Sequence, residues 1–208
     1  MANSPQQMSG FVLALLGLAL AFLAAMMPQW RVSAHIGANL VRSESAWEGL
    51  WGACVARTSG ESECQAYGSM LGLPREMQAA RGLTALGLGL GLLAVAIAPI
   101  GMQCTRCAAK QPQAKATLSL GSGLTLALAG LAIAGPPSWT ATTIIMQFHD
   151  PNRPDEMKRD LGDALFVAWS AAALLLVGGV ILSLASRSPA GLHGKFASPP
   201  PSPYPQDH

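Results

Sequence analysis

Cysteine and histidine are the residues through which this chain would do covalent or metal chemistry, and it holds four of each. Cys54 and Cys64 sit symmetrically about Ser59, inside the turn signal Thr58-Ser59-Gly60. If a hairpin is centred there, the two thiols face each other across antiparallel strands and can bridge. Closing so short a loop stabilises by about 3 kcal/mol in the chain-entropy account. Cys104-x-x-Cys107 has the spacing of half a zinc site, but no second pair follows it. Next to a membrane, on its inner side, the same two thiols are candidates for S-palmitoylation, which would pin a loop to the bilayer. His35, His149, His193 and His208 are scattered, with no Ser/His/Asp or Cys/His grouping around them. We therefore expect no catalytic residues, no metal and no cofactor.

The elements that carry these residues are set by charge. Only 12% of the 208 residues are charged and half are apolar, whereas a soluble domain carries about 25% charge. No Asp, Glu, Lys or Arg occurs in 1–30, 82–105, 116–149 or 164–186. Each gap holds an apolar stretch of about 18–25 residues, enough to cross the hydrocarbon core. We place the spans at Met8–Pro28, Gly82–Met102, Thr117–Gly135 and Ala164–Leu184. They leave a short start (1–7), a long loop (29–81), a short loop (103–116), a middle loop (136–163) and a tail (185–208). In hydrocarbon each span must satisfy its own backbone, so helix is expected. The segment 1–7 lacks Lys and Arg and the run after it is long, so the first span reads as an anchor rather than a signal peptide. A soluble enzyme, a disordered chain and a disulfide-rich secreted domain are excluded, and a net charge of +2 gives no reason to expect nucleic-acid binding.

Positive charge does not orient the chain. Arg106, Lys110, Lys115, Arg187 and Lys195 make up only 5 of the 13 Lys and Arg. The cysteine pair does orient it. A Cys54–Cys64 bridge needs an oxidising compartment, which puts 29–81 outside and both termini inside. The spans are rich in small residues, among them Gly87-x-x-x-Gly91 and the run Gly121, Gly123, Ala127 and Gly130, which suits a compact intramolecular four-helix bundle. Pro99 should bend or weaken the second helix near its inner end. No ionisable residue lies in the middle of any span, which argues against a pump or proton relay.

The outer loop reads as a folded unit. Trp30, Val32, Ala34, Ile36, Ala38 and Leu40 alternate with polar residues and glycine, the period of a half-buried strand over 30–40. A second strand is expected over 47–56, and a hairpin centred on Ser59 would put Arg57 opposite Glu61. A small antiparallel sheet stapled by a disulfide follows.

Trp30, Gly49-Leu50-Trp51, Cys54 and Cys64 together resemble the W…GLW…C…C signature of the claudins. Tyr67–Arg81 resembles that family's YDSLLALPxxLQAAR stretch, Gly101–Cys107 its GMKCTRC, and Pro137–Ala141 its PVSWxA. Phe148, Pro151, Lys158, Leu161-Gly162, Ala164-Leu165 and Trp169 resemble its second-loop pattern. The likeness covers about 8–184. It implies a left-handed four-helix transmembrane bundle under an extracellular antiparallel β-sheet, in a multi-pass plasma-membrane protein of cell–cell tight junctions. It implies claudin partners in cis and in trans, a lipid bilayer around the chain, and the same palmitoylation at Cys104 and Cys107. It implies an assembly contact of Met70 and Leu71 with Phe148 of a neighbour, Ser69–Leu73 being short, apolar and at the membrane edge.

Two positions that set charge preference in channel-forming claudins correspond to Ala56 and Gln65, both neutral here. The first loop balances five Arg against five Glu, with Glu63 the acid nearest those positions. A barrier, or at most a weakly cation-selective path, is therefore expected; the alternative is a cation path lined by Glu63. Segment 150–154 does not resemble the family's toxin-receptor motif. The C-terminus lacks Tyr-Val, and His208 does not suit the apolar pocket of a PDZ groove. The Pro-rich stretch 198–205 favours polyproline II and a flexible tail, with Pro200-x-x-Pro203 in the pattern of an SH3 ligand. An auxiliary subunit of an ion channel or receptor, as in related tetraspans, is the alternative to the junction role. Arg81, the Pro137-Ser138-Trp139 stretch and the Leu161–Leu165 segment favour the junction.

Overall fold

A computed structural model of the chain describes residues 4–34, 45–56, 61–69, 71–102, 112–151, 154 and 158–186. Four helices are each long and apolar enough to cross a membrane: α1 (Ser4–Met26), α2 (Arg75–Gly101), α3 (Pro112–Phe148) and α4 (Asp163–Ser186). Helix α4 packs on α1 and on α3, and α3 on α2, while α1 and α2 touch much less. The bundle interior is built of small and aliphatic side chains, among them Ala14, Ala21, Leu126, Leu175 and Leu182. Lipid is as apolar as leucine, so helices here gain by close packing rather than by escape from water. A close approach joins α3 and α4 at a pair of glycines. A Cβ on Gly179 would lie 2.6 Å from the Gly123 carbonyl oxygen, and one on Gly123 would lie 2.7 Å from that of Gly179.

On one end of the bundle stands a five-stranded antiparallel sheet of β1 (Arg31–Ser33), β2 (Ser45–Glu48), β3 (Gly52–Ala56), β4 (Ser62–Ala66) and β5 (Arg159–Leu161). Its spatial order is β4-β3-β2-β1-β5. A second cluster, of Trp30, Leu50, Ile144, Ala164 and Leu165, seats the sheet on the helices.

The architecture differs from the sequence expectations in three places. The strand expected over 47–56 is two strands, because the chain turns at Gly49–Trp51. The Gly49 N–H donates to the Gly52 carbonyl at 2.9 Å, and a Cβ on Gly49 would stand 2.5 Å from the Pro28 Cα, so only glycine fits the turn. The strand expected over 30–40 is β1 at 31–33, and 35–40 lies outside the described residues. The third helix does not stop at 135. It runs through Pro136 and Pro137 to Phe148. Proline in a helix interior forfeits backbone bonds, but the far segment buries Ala141 and Ile144, the latter against the seat of the sheet. Segment 136–163 is also not a plain loop, since it supplies β5, which pairs Arg31↔Leu161 and Val32↔Asp160 with β1. Pro99 lies within the last turn of α2, which still reaches Gly101.

Candidate functional site, the sheet and its rim

The hairpin of β3 and β4 pairs Cys54 with Cys64 and Val55 with Glu63, the register of a turn centred on Ser59. The two cysteines form a disulfide. Arg57 lies outside the described residues, and so does its expected pairing with Glu61. Residues opposite each other share a face of the sheet, and faces alternate along a strand. Glu63 and Gln65 are therefore on the face of Val55 and Ala53, while Ala56 is on the disulfide face with Ser62. The three candidate ion-path residues are not brought to one surface.

The signature residues converge where sheet meets bundle. Trp30 is buried, and its indole N–H donates to the Ala24 carbonyl at 2.9 Å, tying the sheet to the end of α1. Leu50 is buried, and its carbonyl accepts from Arg81 Nε at 2.6 Å. Arg81 is only 5% exposed. Its guanidinium lies 5.2 Å from the Trp51 ring centre and 5.4 Å from that of Tyr67, two cation–π contacts in a partly desolvated place. Trp51 itself is 44% exposed at the rim of the bundle. One helix residue thus fixes the Gly49–Trp51 turn by a hydrogen bond and two ring faces.

Beside this junction lies a charge network that residue patterning did not foretell. Arg159 Nη2 donates to Glu48 Oε1 at 2.7 Å, and Arg31 Nη2 stands 3.9 Å from Glu76 Oε2. Arg159 and Glu48 come from opposite halves of the chain and meet because β1 lies between their strands, while Glu76 reaches Arg31 from α2. Burial raises the Tyr67 phenol above its ordinary value of 10.0, the Glu48 carboxylate adds to this, and Arg81, Arg31 and Arg159 oppose it. Because the folded value is the higher one, the stability Tyr67 contributes is complete below pH 10 and is lost as pH rises through the folded pKa. The chain has two tyrosines. In Tyr204→Phe protein, phenolate absorbance at 295 nm should therefore appear at higher pH than in free tyrosine. A coincident titration would contradict this.

Apolar surface lies at both edges of the sheet, in the 69–72 turn that follows edge strand β4 and in a hollow beside edge strand β5. Ser69 Oγ accepts from the Gly72 N–H at 3.3 Å and shapes the turn before α2. The turn presents Leu71, 92% exposed, so its own chain leaves it bare. Met70 lies outside the described residues. Phe148, at the end of α3, lines an open hollow of about 180 Å³ with Ile144, Ile145, His149, Asp160 and Leu161. The Lys158 ammonium stands 5.6 Å from the Phe148 ring, and His149 meets that ring edge-on at 5.8 Å. The extension of α3 and strand β5 build this hollow between them. The motif around Phe148 was visible in the sequence, but the hollow was not. Cys104 and Cys107 lie outside the described residues. Among the described residues, no three His, Cys, Asp or Glu gather in a metal-holding group.

Residues 5–182 match the model of the PMP-22/EMP/MP20/Claudin family. The chain is 42% identical over 182 residues to Claudin-4 of Canis lupus familiaris, a match covering 88% of this chain and 86% of that protein. It is 41% identical over 182 residues to Claudin-4 of Homo sapiens, covering 88% and 87%. It is also 41% identical over 176 residues to Claudin-3 of Homo sapiens, covering 85% and 80%.

Proposed function

Because this chain belongs to the PMP-22/EMP/MP20/Claudin family, we propose that it is a multi-pass plasma-membrane protein of tight junctions that assembles with other claudins into strands and controls passage between cells. In this reading the sheet and both longer loops face outside. The observation that carries it is the bare Leu71 at one edge of the sheet and the open, largely apolar hollow beside Phe148 at the other. A neighbour offering its 69–73 turn would bury both.

Freeze-fracture of fibroblasts without junctions tests the proposal. Cells expressing the chain should show continuous intramembrane strands. Their absence, with a channel co-purifying, would favour an auxiliary-subunit role. Met70→Ala and Leu71→Ala should shorten strands while surface delivery stays normal, and strands of ordinary length in both variants would remove the 69–73 turn from the contact.

We propose a barrier rather than a selective channel. Ala56 and Gln65 are uncharged, and the two candidate positions fall on opposite faces of the hairpin. Glu63 adds one exposed carboxylate, whose field in salty water fades over about 8 Å. Dilution potentials across epithelial monolayers should show at most a weak cation preference, little altered by Glu63→Gln. A strong sodium preference lost on that substitution would replace the barrier with a cation path.

A further inference from the structure

We infer that Asp160 guards the free edge of the sheet at β5, so that a second copy of the chain cannot add its own edge strand there. The ladder shows which backbone groups of β5 look outward. β1 and β5 pair Arg31↔Leu161, Val32↔Asp160 and Ser33↔Arg159. In an antiparallel pair, residues that exchange both backbone bonds alternate with residues that exchange none. The Gly162 N–H donates to the Trp30 carbonyl at 3.3 Å, and the Ala34 N–H to the Lys158 carbonyl at 3.1 Å. Lys158, Asp160 and Gly162 therefore turn their backbone groups toward β1. Arg159 and Leu161 turn theirs away, and among the described residues no strand lies on that side.

One of these outward groups is already taken. The Leu161 N–H donates to Asp160 Oδ1 at 2.7 Å. A strand docking on β5 would have to bring a carbonyl oxygen to that N–H, where the carboxylate oxygen stands. Two such oxygens repel. Pushing the exposed carboxylate aside would break a charge-assisted bond and strip water from a full charge. β5 is three residues long, so a docked strand finds few other bonds to offset the loss.

The strand kept out is β4 of another copy. It is the other edge of the same sheet, and its side chains are all exposed. Joining β4 to β5 would bring different surfaces of two copies together, and the copy just added would offer the same pair of edges again. Head-to-tail contacts of that kind grow into rings or open filaments. A charged side chain at a sheet edge is a general means of preventing this. Here it leaves the neighbouring hollow usable. An apolar side chain can enter beside Phe148 without pairing its backbone with β5.

The test compares the full chain with its Asp160→Ala variant, both in a Leu71→Ala background so that the assembly contact proposed above does not contribute. In phosphatidylcholine nanodiscs holding one copy each, hydrogen exchange is read at single amides by mass spectrometry. The Leu161 amide should exchange about tenfold faster in the variant, the worth of one hydrogen bond to a charged group. In phosphatidylcholine vesicles of rising protein density, the variant's Leu161 and 62–66 amides should slow together as copies pair β4 with β5. The chain that keeps Asp160 should show no such joint slowing. Asp160→Val, which suits a strand and also lacks an acceptor, serves if the alanine variant fails to fold, as judged by disulfide and monodisperse elution. Equal Leu161 exchange with and without Asp160 in single-copy discs would show that the bond is not made. A Leu161 amide that stays fast in the variant at every density would show that Asp160 does not keep strands away. Either result overturns the inference and leaves the junction role untouched.

Discussion

Gly179→Leu is expected to abolish delivery of the protein to the cell surface. The Cβ alone would stand 2.6 Å from the Gly123 carbonyl oxygen and 2.9 Å from the Ala127 nitrogen, both backbone atoms that cannot swing aside. The α3–α4 contact would have to open by several tenths of an ångström at least, and the longer leucine chain would widen it further. Overpacking of this kind costs about 3 kcal/mol, a large part of the stability of a small bundle. Gly121→Leu is the control. It lies on α3, two residues before Gly123, but nothing stands within 4 Å of its Cβ position, so that variant should fold and reach the surface. Surface biotinylation, with thermal unfolding of the purified protein, measures both. Equal delivery of the two variants would show that the helices do not meet at this glycine pair.

Cys54→Ser and Cys64→Ser should each cost about 3 kcal/mol of local stability. The bond spans ten positions and joins β3 to β4. β4 is an edge strand, held on one side only, and its side chains are all exposed, so burial contributes little to keeping it in place. Without the bridge the hairpin should open far more often than the rest of the sheet. Hydrogen exchange of the 62–66 amides should rise in the variants while that of β1 stays low. Mass spectrometry of non-reduced peptides from surface-delivered wild type should find the two cysteines linked. Free thiols there, or unchanged exchange in the variants, would show that the bond does not hold this hairpin.

Much of this fold was legible because the bilayer leaves few choices. Charge-free segments of membrane-spanning length can only be helices, and the turn centred on Ser59 gave the cysteine register. What patterning missed has physical causes. Gly49-Leu50-Trp51 looked like strand because Leu and Trp suit strands. Its turn is fixed from outside, by Arg81 on α2 and by Pro28 packed against Gly49. Pro136-Pro137 looked like the end of a helix because local cost is all a sequence window shows. The compensating burial of Ile144 is a tertiary fact. β5 is three residues long, too short for any period to register. At the site, the signature residues could be named from the sequence. The Arg31, Glu48, Glu76 and Arg159 network could not, because Glu48 and Arg159 meet only across β1 and Glu76 joins them from α2.

The placement of β1 also orders events during synthesis. Its partner on one flank, β2, follows soon after it in the chain, but its partner on the other, β5, directly precedes α4. Arg31, Val32 and Ser33 cannot pair with Leu161, Asp160 and Arg159 until the last helix begins to leave the ribosome. Through that interval the nascent chain holds a four-stranded sheet with β1 as well as β4 left as an edge, and an unpaired edge is a template for another strand. Neighbouring chains emerging on the same polysome carry that same strand. The last helix therefore does more than anchor the chain a fourth time: its insertion delivers the strand that covers β1, and the sheet is finished only when membrane integration is nearly complete.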